Sequence, residues 1–164
     1  MSAAQVVRVN VAGAGGVPKL PVVAALVTRL GVAGDRQLDL EYHGGPERAV
    51  CLFGQERIAA LAAEGHPIAP GATGENLTIA GLDWGTLRAG DRLAIGDDVL
   101  LEITRPAPPC RTIAHCFTAG EFTRIAEKIH PGWSRLYARV LIEGLVREGA
   151  QVRHLPCATE AASV

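Results

Sequence analysis

"DRLAIGDDVLLEITR", residues 91–105, sets Gly96-Asp97-Asp98 between two apolar runs. Glycine takes positive φ without steric cost and aspartate tolerates it, so the three residues reverse the chain and the stretch reads as a β-hairpin. The same pattern of short apolar runs cut by turn residues extends in both directions. Nineteen glycines and ten prolines punctuate the chain, which favours short strands over long helices. Upstream, Val7, Val9 and Val11 alternate with polar neighbours in "VRVNV", as a half-buried strand does. "AALVTRLGV" (24–32) and "RAVCLF" (48–53) are branched-rich runs suited to interior strands, and "NLTIAGL" (76–82) is another. Downstream, Leu136, Ala138, Val140 and Ile142 alternate, and "AQVRHL" (150–155) closes the series.

Helical spacing occurs twice. "GQERIAALAAEG" (54–65) puts Ile58, Leu61 and Ala62 on one face and stops at Gly65. "TAGEFTRIAEKI" (118–129) sets Thr118 and Glu121 at capping-box spacing ahead of an apolar stripe of Phe122, Ile125 and Ile129. A doubly wound α/β sheet would need many more helices between its strands. Seven or eight strands with few helices therefore predict a mainly β fold, a closed or nearly closed β-barrel, because closure removes exposed strand edges.

At 164 residues the chain suits one domain, expected over residues 1–155 with a frayed tail at 156–164. Hydrophobic residues make up 48% and charged residues 20%, enough apolar material for a packed core. The net charge of −1 and pI near 6.5 argue against a broad basic face for nucleic acid. No run approaches a membrane span and the N-terminus lacks signal-peptide character, so a cytoplasmic protein is expected, with reduced thiols.

Four cysteines carry the chemical question. Cys51 lies inside an apolar run and Cys157 in the tail, and both read as chemically silent. Cys110 and Cys116 stand in "RPAPPCRTIAHCF" (105–117), separated by five residues with no second pair, which is not structural-zinc spacing. Cys116 reads as packing. For Cys110 two readings stand, a reactive thiol or a packed one. Prolines would stiffen its loop, and Arg105 and Arg111 would favour the thiolate, the nucleophilic and metal-binding form.

Three further segments concentrate polar residues. "GDRQLDLEYHGGPERAV" (34–50) brings Asp35, Arg36, Asp39, His43 and Arg48 into a short stretch, where His43-Gly44-Gly45 can also present backbone N–H groups to an anion. Turn formation is the plainer reading, and anion or cofactor binding the second. "PGATGENLTIAGL" offers Glu75 and Asn76 ahead of a strand. Lys19 sits between prolines in "PKLP", either as a surface lysine or facing an anion. "GAGG" (13–16) lacks the G-x-G-x-x-G spacing of a dinucleotide fingerprint and is not followed by a helix.

In combination, "VPKLPV", "GDRQLDLEYHGG", "ERAV", "TGENLTIAGLDWGTLRAGDRLAIG", the cysteine loop and "SRLYARVLIEGLVREGAQV" resemble the MOSC family, named for the C-terminal domain of molybdenum cofactor sulfurases. The likeness runs over residues 17–153 and is nearest to small stand-alone bacterial members. It implies a β-barrel and makes Cys110 the functional thiol, which in related proteins carries persulfide sulfur or coordinates the molybdenum of a molybdopterin cofactor. On that reading Lys19, Arg36, Arg48, Arg111 and the His43-Gly44-Gly45 turn provide cations and N–H donors for the cofactor, with Glu75 and Asn76 beside them and Asn76 at a pterin edge.

The implied activity is reduction of small N-oxygenated (N-hydroxylated) compounds. Electrons would come from an external redox partner, because no flavin, haem or iron–sulfur motif is visible. The alternative is a sulfur carrier that receives persulfide sulfur on Cys110 from a cysteine desulfurase. Pyridoxal phosphate would belong to that partner and not to this chain. Members that reduce N-hydroxylated compounds often carry segments beyond the barrel, so the chain reads as a minimal version. Neither nucleic acid nor membrane is an expected partner.

Overall fold

The computed structural model describes residues 3–36 and 45–158. Eleven strands and one α-helix form two sheets among them. In chain order the strands are β1 (Gln5–Val11), β2 (Leu20–Val22), β3 (Ala24–Thr28), β4 (Gly31–Val32), β5 (Val50–Gly54), β6 (Leu77–Ala80), β7 (Arg92–Ile95), β8 (Val99–Ala107), β9 (Arg135–Ile142), β10 (Gly144–Arg147) and β11 (Val152–Leu155). The helix, α1, spans Gln55–Ala63. Eight strands make the main sheet in the order β11-β7-β8-β9-β5-β6-β1-β2, and β10-β3-β4 make the small one.

The hairpin of residues 91–105 is present as read. β7 and β8 pair antiparallel from Ile95↔Val99 outward, with Gly96 at φ +58° in the turn. Every ladder of the main sheet is antiparallel except β5 with β6. Parallel neighbours need a crossover connection, and α1 lies on it. Its buried Ile58 and Leu61 hold the helix to the core, and Gly65 ends it at φ +101° with its N–H on the Ala62 carbonyl.

Three expectations are corrected. Val7 and Val11 are only half-buried, whereas Val6, Val9 and Asn10 are buried, because a register shift between Val6 and Arg8 turns the strand mid-way. "AALVTRLGV" is two strands and a turn, β3 and β4 in the small sheet, not one interior strand. The second helix does not form. Residues 118–120 and 122–125 are separate 3-10 turns, with Ala119 and Gly120 both at positive φ. Thr118, placed to cap that helix, instead donates its hydroxyl to the Gly65 carbonyl and its N–H to His66 Nδ1. Tertiary bonds to the end of α1 thus replace the local cap, and Ile129 is left 58% exposed.

The main core runs through Val6, Val9, Leu52, Phe53, Leu77, Ile79, Leu93, Leu101 and Ile103. In the centre of the sheet both faces are covered. Leu136, Ala138 and Val140 of β9 join that core, while Tyr137 points the other way and packs with Cys51 and Ala107. Among the described residues the ladder order of the main sheet runs from β11 to β2. An isolated Gln5–Gln151 bridge, with bonds from Val6 N–H to Ala150 O and from Val152 N–H to Ala4 O, ties β1 to the start of β11. No helix among the described residues is long and apolar enough to cross a membrane.

Candidate functional site

The second face of the central sheet leads to a buried polar network. Its base is the turn at residues 71–76, ahead of β6. Gly71 stands at φ +84°, and a Cβ there would lie 2.3 Å from the Lys19 carbonyl oxygen, so only glycine allows the approach. The two segments are also joined by a hydrogen bond in which Lys19 N–H donates to Gly71 O at 2.9 Å. Inside the turn the fully buried Glu75 carboxyl accepts from Gly71 N–H, the Thr73 hydroxyl and the Thr78 hydroxyl, each at 3.0 Å. Burial pushes that carboxyl above its ordinary value, and the three donors oppose the rise.

Asn76 extends the network sideways. Its carbonyl oxygen accepts Cys51 N–H at 3.0 Å, and its amide donates to Asp35 Oδ2 at 2.8 Å and to Asn10 O at 3.3 Å. Asp35 in turn accepts Ala12 N–H at 2.8 Å and pairs with the Lys19 ammonium. Both partners of that ion pair are nearly sequestered, at 5% and 6% side-chain exposure. The Ala12 and Asn76 donors satisfy the carboxylate acceptors that the pairing leaves over, which helps offset the cost of burying the pair.

Arg135 connects the network to the cysteine loop. Its guanidinium donates through Nη1 to Thr73 O at 2.6 Å and through Nη2 to Pro108 O at 3.3 Å. Beside it, the Ser134 hydroxyl proton is shared between Arg135 O at 2.8 Å and Ala107 O at 3.2 Å. β8 runs on through Pro106 to Ala107, so the free part of the expected proline loop is only residues 108–110. Cys110 is half-buried at the end of this segment and precedes a 3-10 turn over Arg111–Cys116. Its sulfur shares a hydrogen bond with the Thr112 hydroxyl, the group that would donate to a thiolate.

The other thiols differ. Cys116 is fully buried, donates toward Ala72 O at 3.4 Å, and burial pushes it up to about 11. Cys51 is also pushed up by burial, against the opposing charges of Arg135 and Lys19. Tyr137, on the same face, is raised to about 12 by burial and the nearby Cys51, with Arg135, Arg48 and Arg105 opposing. Neither buried thiol is disposed to ionise near neutral pH.

Of the residues singled out in the sequence, Lys19, Glu75 and Asn76 meet in one network through Asp35 and Gly71, and Arg135 ties that network to the loop of Cys110. Glu75 and Asn76 spend their polar atoms on internal bonds. Arg36 and Arg111 are exposed, and Arg36 N–H donates to Ala12 O. Gly45, at φ +83°, opens the 3-10 turn Pro46–Arg48, and Arg48 is half-buried. His43, Gly44 and Asp39 lie outside the described residues. Arg135 escaped the sequence reading. The available signal was a cation in the same alternation register as Tyr137 in a strand otherwise mostly apolar. A separate cleft of about 320 Å³, lined by Trp84, Arg88, Pro106, Glu127 and Ser134, opens on the side of β9 opposite Arg135 and does not include Cys110.

Fold and geometry together define a mainly β protein that presents one half-buried thiol next to a buried polar network. A profile of the MOSC domain matches residues 39–153, and the chain belongs to that family. It is 34% identical over 142 residues to YflK of Bacillus subtilis (strain 168), covering 85% of this chain and 63% of that protein. It is 38% identical over 84 residues to a reductase of Gibberella moniliformis, covering 49% of this chain and 15% of the fungal protein. The crystal structure of YiiM from Geobacillus stearothermophilus superposes with a TM-score of 0.70 at 26% identity, over 93% of this chain and 75% of that one. The chain thus spans less than two thirds of the length of these two sequence relatives.

Proposed function

We propose that the protein binds a molybdenum cofactor through Cys110 and reduces small N-oxygenated compounds with electrons from an external donor. The observation that carries this reading is the tether of the Cys110 loop, through Arg135, to the network that holds Lys19, Asp35 and Asn76. The family membership and the reductase among the relatives support it. We place the site on a nearly closed barrel whose seam is the Gln5–Gln151 bridge.

The donor set suits such a cofactor. Molybdenum accepts soft thiolate, and Cys110 is a partly exposed thiol with a hydroxyl donor beside it. Among the described residues no three His, Cys, Asp or Glu side chains gather into a cage for a bare metal ion. One protein thiolate added to a metal that brings its own sulfur ligands fits these residues better than a protein-only site. When bound, the cofactor would supply two-electron redox chemistry at the metal. Cys110 would anchor it, with Thr112 orienting the sulfur. Lys19 keeps ammonium protons beyond its bond to Asp35, and with Arg36, Arg48 and the Gly45 turn it would bind the phosphate.

The test is metal analysis of protein produced in a host that makes the cofactor. Stoichiometric molybdenum that is lost in Cys110→Ala supports the reading. No molybdenum in the wild type, with a persulfide on Cys110 in intact mass spectra, would instead make it a sulfur carrier served by a cysteine desulfurase.

A further inference from the structure

We propose that Arg135 is the positioning residue of Cys110, a fork that locks the cysteine loop to the 71–76 turn. The inference deepens the reading of Cys110 as the functional thiol and rests on it.

Pro108 and Pro109 have no N–H, so the chain entering Cys110 can be held to the body only through its carbonyls. Pro108 O is held by Arg135 Nη2, and Ala107 O competes with Arg135 O for the one Ser134 hydroxyl proton, at 3.2 Å against 2.8 Å. The other arm of the guanidinium, Nη1, takes Thr73 O in the turn whose next residues build the Glu75 and Asn76 bonds. A guanidinium presents its two terminal nitrogens at a fixed spacing, so it sets the distance between the two carbonyls it joins. A lysine ammonium is a single point on a flexible stem and cannot span them.

Arg135 is only 5% exposed, and among the described residues it has no carboxylate partner. Its Nε is buried without a hydrogen-bond partner among the described residues. A cation kept in such a place is costly by itself, and the two carbonyls are its main compensation. The bonds therefore act in both directions. They hold the loops, and the loops hold the charge.

Hydrogen exchange read by mass spectrometry tests this on metal-free protein. In Arg135→Lys and Arg135→Met, amides 110–113 and 71–76 should exchange at least about tenfold faster than in the wild type, the effect of losing one or two charge-assisted bonds. The β7–β8 hairpin should keep its protection. Iodoacetamide labelling should accelerate at Cys110 in step, while the already exposed Cys157 keeps its rate. A residue that served packing alone would be largely replaced by methionine and would leave Cys110 labelling unchanged.

Unchanged exchange in both segments, or a uniform rise across the whole chain, overturns the proposal. If the variants do not fold, graded urea on the wild type decides: the two segments must lose protection as one unit, and separate openings overturn the clamp. Coupled segments in a protein that binds no molybdenum would retain the clamp and remove the cofactor reading. Uncoupled segments in a molybdenum-loaded protein would do the reverse.

Discussion

Removing the Asn76 side chain probes the network at its crossing point. Asn76 is 1% exposed and joins three chain segments, at Cys51 N–H, Asp35 Oδ2 and Asn10 O. In Asn76→Ala the Cys51 amide becomes a buried donor without an acceptor, costing about 1–3 kcal/mol, and Asp35 loses a charge-assisted bond of about 1.5–3 kcal/mol. The 3.3 Å bond to Asn10 is weaker and adds little. The expected loss is about 3–5 kcal/mol, which at a urea m-value of about 2 kcal/mol per molar lowers the unfolding midpoint by about 1.5–2.5 M. The assay is urea unfolding followed by circular dichroism on both proteins.

A second substitution separates this bonding pattern from simple loss of volume. Asn76→Asp keeps the shape and the acceptor for Cys51, but sets a carboxylate oxygen where the amide now donates to Asp35 at 2.8 Å. Two carboxylates that close disfavour ionisation of the pair, so a proton is retained above the ordinary carboxylate range. The deficit relative to wild type should therefore be largest at neutral pH and narrow as pH falls through that raised value. A midpoint within about 0.3 M (about 0.6 kcal/mol) of wild type for Asn76→Ala, or a pH-independent deficit for Asn76→Asp, would refute the reasoning.

Three further outcomes follow from other parts of the site and its frame. Gly71→Ala should cost at least about 2 kcal/mol in chemical denaturation, since the added Cβ meets Lys19 O at 2.3 Å and φ is +84°. Burial raises the Glu75 carboxyl above its unfolded value, so its contribution is complete below the ordinary carboxylate value and declines as pH rises through the raised one. Glu75→Gln should flatten that dependence in stability measured from pH 4 to 8, and Glu75→Ala should unfold earlier at every pH. Burial raises the Asp91 carboxyl, but the Cys157 and Arg88 amides and the His154 ring outweigh it and hold it below its ordinary value. Its contribution is thus present above that ordinary value and lost as pH falls. Asp91→Asn should shrink the acid-induced loss and speed hydrogen exchange at residues 154–157.

Much of this fold can be read locally. The 91–105 hairpin, β5, β6, β9, β11 and α1 all lie where period, turn residues and a stop glycine place them, because each rests on neighbours in sequence. The failed helix at 118–129 shows the limit. Its capping box and apolar stripe are sound local signals, yet Thr118 finds better partners on Gly65 and His66, more than fifty residues away. The bulge between Val6 and Arg8 likewise depends on pairing with β6 and left no mark in the "VRVNV" alternation.

The site divides along the same line. Sequence alone determined which residue types were available, a proline-flanked cysteine, a lysine between prolines and the "TGEN" turn, since composition and chain stiffness are local properties. Tertiary structure decided their use. It buried Cys51 and Cys116 while leaving Cys110 half-buried, paired Lys19 with Asp35, and turned Glu75 and Asn76 inward. It also brought Arg135 between two loops whose carbonyls lie 62 and 27 residues away along the chain. Charge burial and hydrogen-bond satisfaction are settled between distant segments, so no window of sequence contains them.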